Sequence, residues 1–249
     1  MTGAPPSVVV TGGTSGLGLA IALRLATPGA DVLLSYARDD RAADAAASAV
    51  AAVGARPHLC RADLSRLDGV RALADLVRAR LDRVDQLVHA AGAGRPGALV
   101  DLPGEELERA VRLNGVSVAH VVRELAPLLR EGSSVFYLTS AGSTRAIPEY
   151  GSLGASKALA EHLVRHLARE LAPRGVRVNC VSPGPVDTKA RREMFPETWE
   201  SRLAAQAEAN PSGRGITFED VAGVVALMSR PEFAMVQGQV LTVDGGLTL

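Results

Sequence analysis

Short apolar runs rich in β-branched residues alternate along the chain with longer Ala/Leu/Arg stretches whose apolar positions recur at helical spacing. Continuous apolar runs suit strands buried on both faces, and the periodic stretches between them suit crossover helices. Strands are expected at Ser7–Thr11, Asp31–Ser35, Arg56–Arg61, Gln86–His89, Ser134–Thr139, Arg177–Ser182 and Gln239–Val243. Helices are expected at Leu17–Ala26, Arg41–Val53, Leu67–Leu81, Glu105–Leu129, Ser152–Leu171 and Phe218–Met228. Seven strands joined by crossovers predict a single-domain, doubly wound α/β fold: a seven-stranded parallel sheet flanked by helices.

One segment breaks the rhythm. Residues 185–215 are too long for an ordinary connection and hold Met194, Phe195 and the single Trp, Trp199, among charged residues. That content predicts a partly helical substrate lid. The three side chains either cover an acyl chain or pack on the sheet or a neighbouring subunit. The most linker-like stretch, Asn210 to Gly215, is short and flanked by apolar sequence, so the whole chain, residues 1–249, reads as one domain.

Composition narrows the class. With 27 Lys+Arg against 27 Asp+Glu, 47% hydrophobic residues and two cysteines, the chain fits neither a disordered protein, nor a nucleic-acid binder, nor a disulfide-built scaffold. The start lacks the basic region and long apolar core of a signal peptide, and no window approaches the roughly 18 apolar residues of a membrane helix. A cytoplasmic protein with buried free thiols at Cys60 and Cys180 is expected. The five histidines show no metal-like grouping; His162 and His166, four apart, suit a solvated helix face better than a ligand pair. Only two of the basic residues are lysines, Lys157 and Lys189, and only three residues are tyrosines, Tyr36, Tyr137 and Tyr150. Codon bias accounts for an arginine excess but not for which lysines remain.

Between the first strand and first helix stands Thr11-Gly12-Gly13-Thr14-Ser15-Gly16-Leu17-Gly18. Glycines there permit a tight turn and let backbone amides at the helix start approach a pyrophosphate. At the end of strand two, where an acid commonly takes the ribose hydroxyls of NAD, the chain reads Ser35-Tyr36-Ala37-Arg38. Arg38 can pair instead with a 2′-phosphate, which predicts NADPH; the alternative is an exposed surface arginine. Asp63, after strand three, either accepts from the adenine amino group or caps a helix.

These pieces, with Asp63-Leu64, the HAAG at His89–Gly92, Asn114, Ser140, Lys157, Asn179, Pro183-Gly184 with Thr188, and Val243–Gly246, resemble the short-chain dehydrogenase/reductase superfamily over nearly the whole chain. The resemblance implies a Rossmann-like fold with cofactor contacts from Gly12, Thr14, Ser15, Gly16, Leu17, Gly18, Arg38, Asp63, Leu64, Ala91, Gly92, Lys157, Pro183, Gly184, Val186 and Thr188. It also implies Asn114 in a network around the lysine, Ser140 as an auxiliary group, and a homotetramer. Carbonyl reductases of this superfamily carry a proton-donating Tyr four residues before the Lys, where this chain has Leu153; His89-Ala90 also stands where two Asn are usual.

Tyr150, seven residues before Lys157, matches instead the spacing of the enoyl-acyl-carrier-protein reductases. Seven residues return to the same helix face within about 20°. With Tyr36-Ala37-Arg38 and the run from Ser140 onward, the chain most resembles the NADPH-dependent type III enoyl reductase. That resemblance implies reduction of the C=C bond of a trans-2-enoyl thioester, on acyl carrier protein or CoA, in fatty-acid or polyketide biosynthesis. Tyr150 would donate to the thioester oxygen as it becomes an enolate, and Lys157 would hold the nicotinamide ribose and lower the tyrosine pKa. Arg191-Arg192 offers charge to an acidic carrier protein, and Lys189 has no assigned chemistry. Two alternatives stand beside this: a 3-ketoacyl reductase with a relocated proton donor, and a catalytically silent nucleotide-binding protein.

Overall fold

In the computed structural model, which describes residues 5–249, seven parallel strands form one sheet in the order β3-β2-β1-β4-β5-β6-β7. They are β1 Ser7–Thr11, β2 Asp31–Tyr36, β3 Arg56–Arg61, β4 Val84–His89, β5 Leu129–Leu138, β6 Arg177–Pro183 and β7 Val240–Val243. Residues 1–4, on which the reading of the chain's start partly rests, lie outside the described residues. The helices are α1 Gly16–Leu25, α2 Asp40–Ala52, α3 Leu67–Arg80, α4 Gly104–Ala110, α5 Ser117–Leu125, α6 Gly151–Leu171, α7 Lys189–Met194, α8 Trp199–Glu208 and α9 Phe218–Met228. No described helix is long and apolar enough to cross a membrane.

The continuous apolar strands have the consequence expected of them: each sheet face carries its own core. One core joins Leu33, Leu87 and Val135 to Leu73 of α3, Val121 of α5 and Val164 of α6. The other joins Val8, Val10 and Leu34 to Ile21 of α1, Val50 of α2 and Val225 of α9. Strand order reverses direction between β1 and β4, whose carboxyl ends stay paired at Thr11 and His89 while the connections beyond them leave toward opposite faces of the sheet and open the crevice in which such sheets bind ligands.

Two local expectations fail. The helix expected over Glu105–Leu129 is broken: a π-turn at Val111–Val116 separates α4 from α5, and a 3₁₀ turn ends the run at Leu128. Strand β5 starts at Leu129 rather than Ser134, because Leu129 pairs with Val84 before the register shifts to Gln86 opposite Ser134. Ser133 holds that irregularity, accepting from the Arg130 amide at 3.0 Å and donating to the Val84 carbonyl at 2.6 Å. Residues 185–215 contain α7 and α8, as the apolar content of the segment suggested.

Candidate active site

The glycine turn after β1 is packed too closely for side chains. Gly12 has φ +61°, and a Cβ on it would stand 2.8 Å from Ala91 Cα; on Gly18 it would stand 2.2 Å from the Gly12 carbonyl oxygen. Ser15 is the exposed N-cap of α1, and its side chain caps no amide. The first amides of α1 therefore lack a side-chain acceptor at a positively polarised helix end. Thr14 is buried beside them. Across the turn, Thr188 brings its methyl to within 3.6 Å of where a Gly16 Cβ would lie, while its hydroxyl accepts from the Arg191 amide at 3.1 Å and caps α7. Pro183 ends β6, and Gly184 is pressed so close to Asp244 that a Cβ would stand 2.8 Å from that residue's own.

Arg38 is exposed and forms no ion pair among the described residues, leaving its guanidinium open to an anion. Asp63 belongs largely to its own turn: one carboxylate oxygen accepts from the Ser65 amide at 3.0 Å and the Ser65 hydroxyl at 2.7 Å. Burial pushes its pKa up, but the Ser65 bonds, with Arg109 and Arg38 nearby, outweigh burial and hold it below the usual value. Leu64 is buried against the sheet core, so it shapes the floor of the adenine side without offering a polar group. Lys189 reaches Asp39, the cap of α2, at 3.2 Å, and so ties the segment after β6 to the loop after β2.

The π-turn gives the second half of the site its form. Widening the helix releases carbonyls that side chains then satisfy. Asn114, fully buried, donates through Nδ2 to Ala93 O at 2.8 Å and Ala110 O at 3.0 Å and accepts from the Ala93 amide at 3.0 Å. Its own carbonyl takes the Tyr137 hydroxyl at 2.5 Å, and the Leu113 carbonyl takes the Ser117 hydroxyl at 2.5 Å. Gly92 is confined by this arrangement, since a Cβ would stand 2.9 Å from Asn114 Oδ1 and 3.6 Å from Lys157 Nζ.

Because Ser117 spends its proton on Leu113, it must accept from His89 Nε2 at 2.9 Å, and His89 Nδ1 must accept from the Thr11 hydroxyl at 3.1 Å. Thr11 in turn accepts from the Ala91 amide at 3.2 Å. The chain of bonds fixes His89 as a neutral tautomer. Burial, with Lys157 nearby, pushes its pKa down to about 3. His89, standing where Asn is usual, thus ties the end of β4 to Thr11 and Ser117 behind Ala91.

Lys157 is buried in α6 and donates to the Leu138 carbonyl at 2.6 Å, with its ammonium 4.5 Å from the centre of the Tyr137 ring. Tyr137 stacks on His89 with centroids 5.8 Å apart. Desolvation lowers the Lys157 pKa to about 8, against the attraction of Glu161 and Cys180. Glu161, one turn further along α6, is buried and accepts from the Thr139 hydroxyl at 2.5 Å.

Tyr150 is the N-cap of α6, preceded by Glu149 in a left-handed conformation with φ 64°. A non-glycine residue there is strained, and its amide-bond geometry sets the angle at which Tyr150 enters the helix. The Tyr150 ring lies on Gly142, where a Cβ would meet it at 2.6 Å. Burial raises the phenol pKa, while the Ser140 hydroxyl and the Arg191 guanidinium pull it back. Lys157 is directed at the Leu138 carbonyl and the Tyr137 ring. The Ser140 Oγ also accepts from the Gly142 amide at 3.2 Å and caps a turn. Leu153 presents only an alkyl chain: a Cβ on Gly94 would stand 3.4 Å from Leu153 Cβ and 3.5 Å from Met194 Cε.

An elongated cavity of about 480 Å³ opens beside Tyr150, between Gly97–Leu99 and Ser143–Ile147. The arginine pair of α7 divides. Arg192 forms a two-pronged pair with Asp187 (2.8 and 2.6 Å) and lies 4.4 Å over Trp199, while Arg191 turns inward to Gln206 at 2.5 Å. The buried places of His89 and Tyr137 and the inward turn of Arg191 are what pattern reading did not foresee. Tyr137 sits in an apolar strand, where its ring reads as core, and the scarcity of tyrosines was the one signal that marked it. Among the described residues no group of three metal-type ligands occurs.

A family model described as Enoyl-(Acyl carrier protein) reductase matches residues 12–248. The 7alpha-hydroxysteroid dehydrogenase of Escherichia coli (strain K12) is 32% identical over 240 residues, covering 96% of this chain and 92% of its own. The 1-cyclohexenylcarbonyl-CoA reductase of Streptomyces collinus is 31% identical over 241 residues, covering 97% and 86%. A short-chain dehydrogenase from Burkholderia cenocepacia J2315, solved in complex with NADP, superimposes with a TM-score of 0.89 at 32% identity over 98% of each chain. With the family model spanning residues 12–248 and relatives above 30% identical over nearly the whole chain, the protein belongs to the short-chain dehydrogenase/reductase superfamily of oxidoreductases.

Proposed function

We propose that this oxidoreductase reduces the C=C bond of a trans-2-enoyl thioester with NADPH. The observation that carries the reading is the exchange at the start of α6: the position four before Lys157 is an alkyl chain, and the phenol comes from Tyr150 at the helix cap. The glycine turn, the uncapped α1 amides and the unpaired Arg38 fit a phosphorylated dinucleotide, and the solved relative binds NADP. The relative from Streptomyces collinus is named as a reductase of a cyclohexenylcarbonyl-CoA, a conjugated thioester, whereas the hydroxysteroid dehydrogenase favours carbonyl chemistry as the second reading.

Bound NADPH supplies a hydride to the β-carbon of the substrate. The π electrons of the double bond then move toward the thioester carbonyl, whose oxygen gains negative charge. Tyr150 donates its hydrogen bond to that oxygen, and one such donor typically contributes about 2.7–4 kcal/mol. Lys157, protonated below about pH 8, holds ribose hydroxyls, and Asn114 with Tyr137 fixes the backbone against which the ammonium rests. The cavity beside Tyr150 takes the acyl chain, and Arg202 of α8 meets Glu149 at its wall. Acyl carrier protein or CoA carries the thioester, and assembly as a homotetramer in the cytoplasm follows the superfamily's habit.

NADPH oxidation with crotonyl thioester and, separately, with a 3-ketoacyl thioester tests the reading. Turnover of the enoyl substrate supports it; turnover of the ketone alone refutes it. Tyr150→Phe lowers kcat on the enoyl substrate by about 100- to 1000-fold, and an unchanged rate removes the role given to Tyr150.

A further inference from the structure

Lys157 keeps its ammonium where little holds a charge. It is buried in α6, forms no ion pair among the described residues, and donates to one carbonyl, that of Leu138, at 2.6 Å. The chain's other lysine, Lys189, is exposed and paired with Asp39. What faces the Lys157 ammonium is the Tyr137 ring, with Nζ 4.5 Å from its centre. That ring is fully buried and fastened twice: its hydroxyl donates to the Asn114 carbonyl at 2.5 Å, and its plane stacks on His89 at 16°, with centres 5.8 Å apart. Register puts the pieces there. Thr11 stands opposite His89, His89 opposite Tyr137, and Tyr137 opposite Cys180, so the four make one row across β1, β4, β5 and β6 on one face of the sheet.

The row is uncharged. His89 is held neutral by Thr11 and Ser117, and burial pushes the Cys180 thiol up to about 12. Burial likewise raises the phenols of Tyr137 and Tyr150. The charges on neighbouring elements have partners of their own: Glu161 of α6 the Thr139 hydroxyl, Arg112 of the π-turn Glu108 of α4, and Arg123 of α5 its neighbour Glu124. An ammonium taken out of water gains more from the negative face of an aromatic ring than an exposed one does. We propose that Tyr137 is a positioning residue for Lys157: its ring face, fixed by Asn114 and His89, holds the ammonium charged beside Gly92, just past the end of β4. The inference goes beyond the proposed function and rests on Lys157 meeting the nucleotide there, not on which bond is reduced. Hydroxyl and ring have separate roles. The hydroxyl locates the ring, and the π face steadies the charge.

Lysine labelled with ¹³C and ¹⁵N reports on two side chains in this protein, Lys157 and Lys189, and Lys189→Arg assigns them, so NMR reads the Lys157 titration without turnover. Tyr137→Phe keeps the ring and leaves the midpoint within about 0.3 pH units of wild type. Tyr137→Met loses the same hydroxyl bond and fills the gap with a flexible chain that has no π face, so the midpoint falls by about one unit or more. Should the Met variant fail to fold, trifluorophenylalanine placed at Tyr137 gives the same comparison, since it keeps the shape of Phe, weakens the face and lowers the midpoint. Equal midpoints in the Phe variant and in the Met or trifluoro variant overturn the proposal. NADPH affinity supplies the second measurement. From a midpoint of about 8, a one-unit fall makes the Met variant bind NADPH about fivefold more weakly than the Phe variant at pH 8 and about equally at pH 6. A lowered midpoint with no such pH dependence leaves the ring's hold on Lys157 standing and refutes the ribose contact given to Lys157 in the proposed function.

Discussion

Acid should destabilise this protein through one residue, His89. In the native state its ring is held neutral between Thr11 and Ser117 with a pKa of about 3, against 6.5 in an exposed imidazole. Between those two values the unfolded chain binds a proton that the folded chain refuses, so stability falls as pH falls, starting near 6.5. At about 1.36 kcal/mol per pKa unit, the linkage removes about 2 kcal/mol between pH 7 and pH 5, and about 3 kcal/mol by pH 4. Carboxylates contribute their own acid dependence, so the measurement is a difference: urea midpoints and slopes for wild type and His89→Asn across pH 4–7. Asn fills the same strand end with an amide that cannot titrate, and is expected to cost some stability at pH 7 by breaking the Thr11 and Ser117 bonds. Its stability should nevertheless decline less steeply in acid, and the two curves should approach each other by about 2 kcal/mol at pH 5. Parallel curves would refute the claim that a buried neutral histidine props the site.

Three further outcomes follow from the site. Lys157, with a pKa lowered to about 8 by burial, is cationic below that value, so kcat should fall as pH rises through about 8, and Lys157→Met should abolish that limb; an alkaline limb that persists in the variant belongs to another group. The same shift makes the native state bind fewer protons than the unfolded chain between about 8 and 10.5, so this residue's contribution to stability rises over that window even as activity falls. Arg38→Ala should weaken NADPH by about 10- to 100-fold while leaving NADH within about twofold, and equal losses would show that Arg38 does not read the 2′-phosphate. Tyr137→Phe keeps the ring under Lys157 but strands the Asn114 carbonyl, so it should cost about 1–3 kcal/mol in urea unfolding while leaving the alkaline limb in place.

The sheet was legible because strands such as β1, β2 and β5 hold runs of consecutive apolar residues, a signal that local sequence carries by itself. The glycine turn, Lys157 and Tyr150 were legible because chemistry demanded particular residue types at particular spacings. The π-turn was not, because part of its cause is tertiary: Asn114 and Ser117 satisfy two of the carbonyls it frees from within the same helical run, but the third is taken by Tyr137 of β5. Asn114-Gly115 in the middle of an expected helix was its only local sign, being poor in helix propensity. The inward turn of Arg191 was hidden for a similar reason. In a chain with 25 arginines among its 27 basic residues, nothing in the sequence separates a guanidinium that turns inward to Gln206 from its neighbour Arg192, which faces Asp187.

The stretch from Thr188 to Arg202 touches the nucleotide turn at one end and the residue before Tyr150 at the other, and Lys189 adds a hold on the loop that carries Arg38. A single piece of backbone therefore spans both reactants' places. Removing the Thr188 cap that holds its first turn should thus be felt at both places.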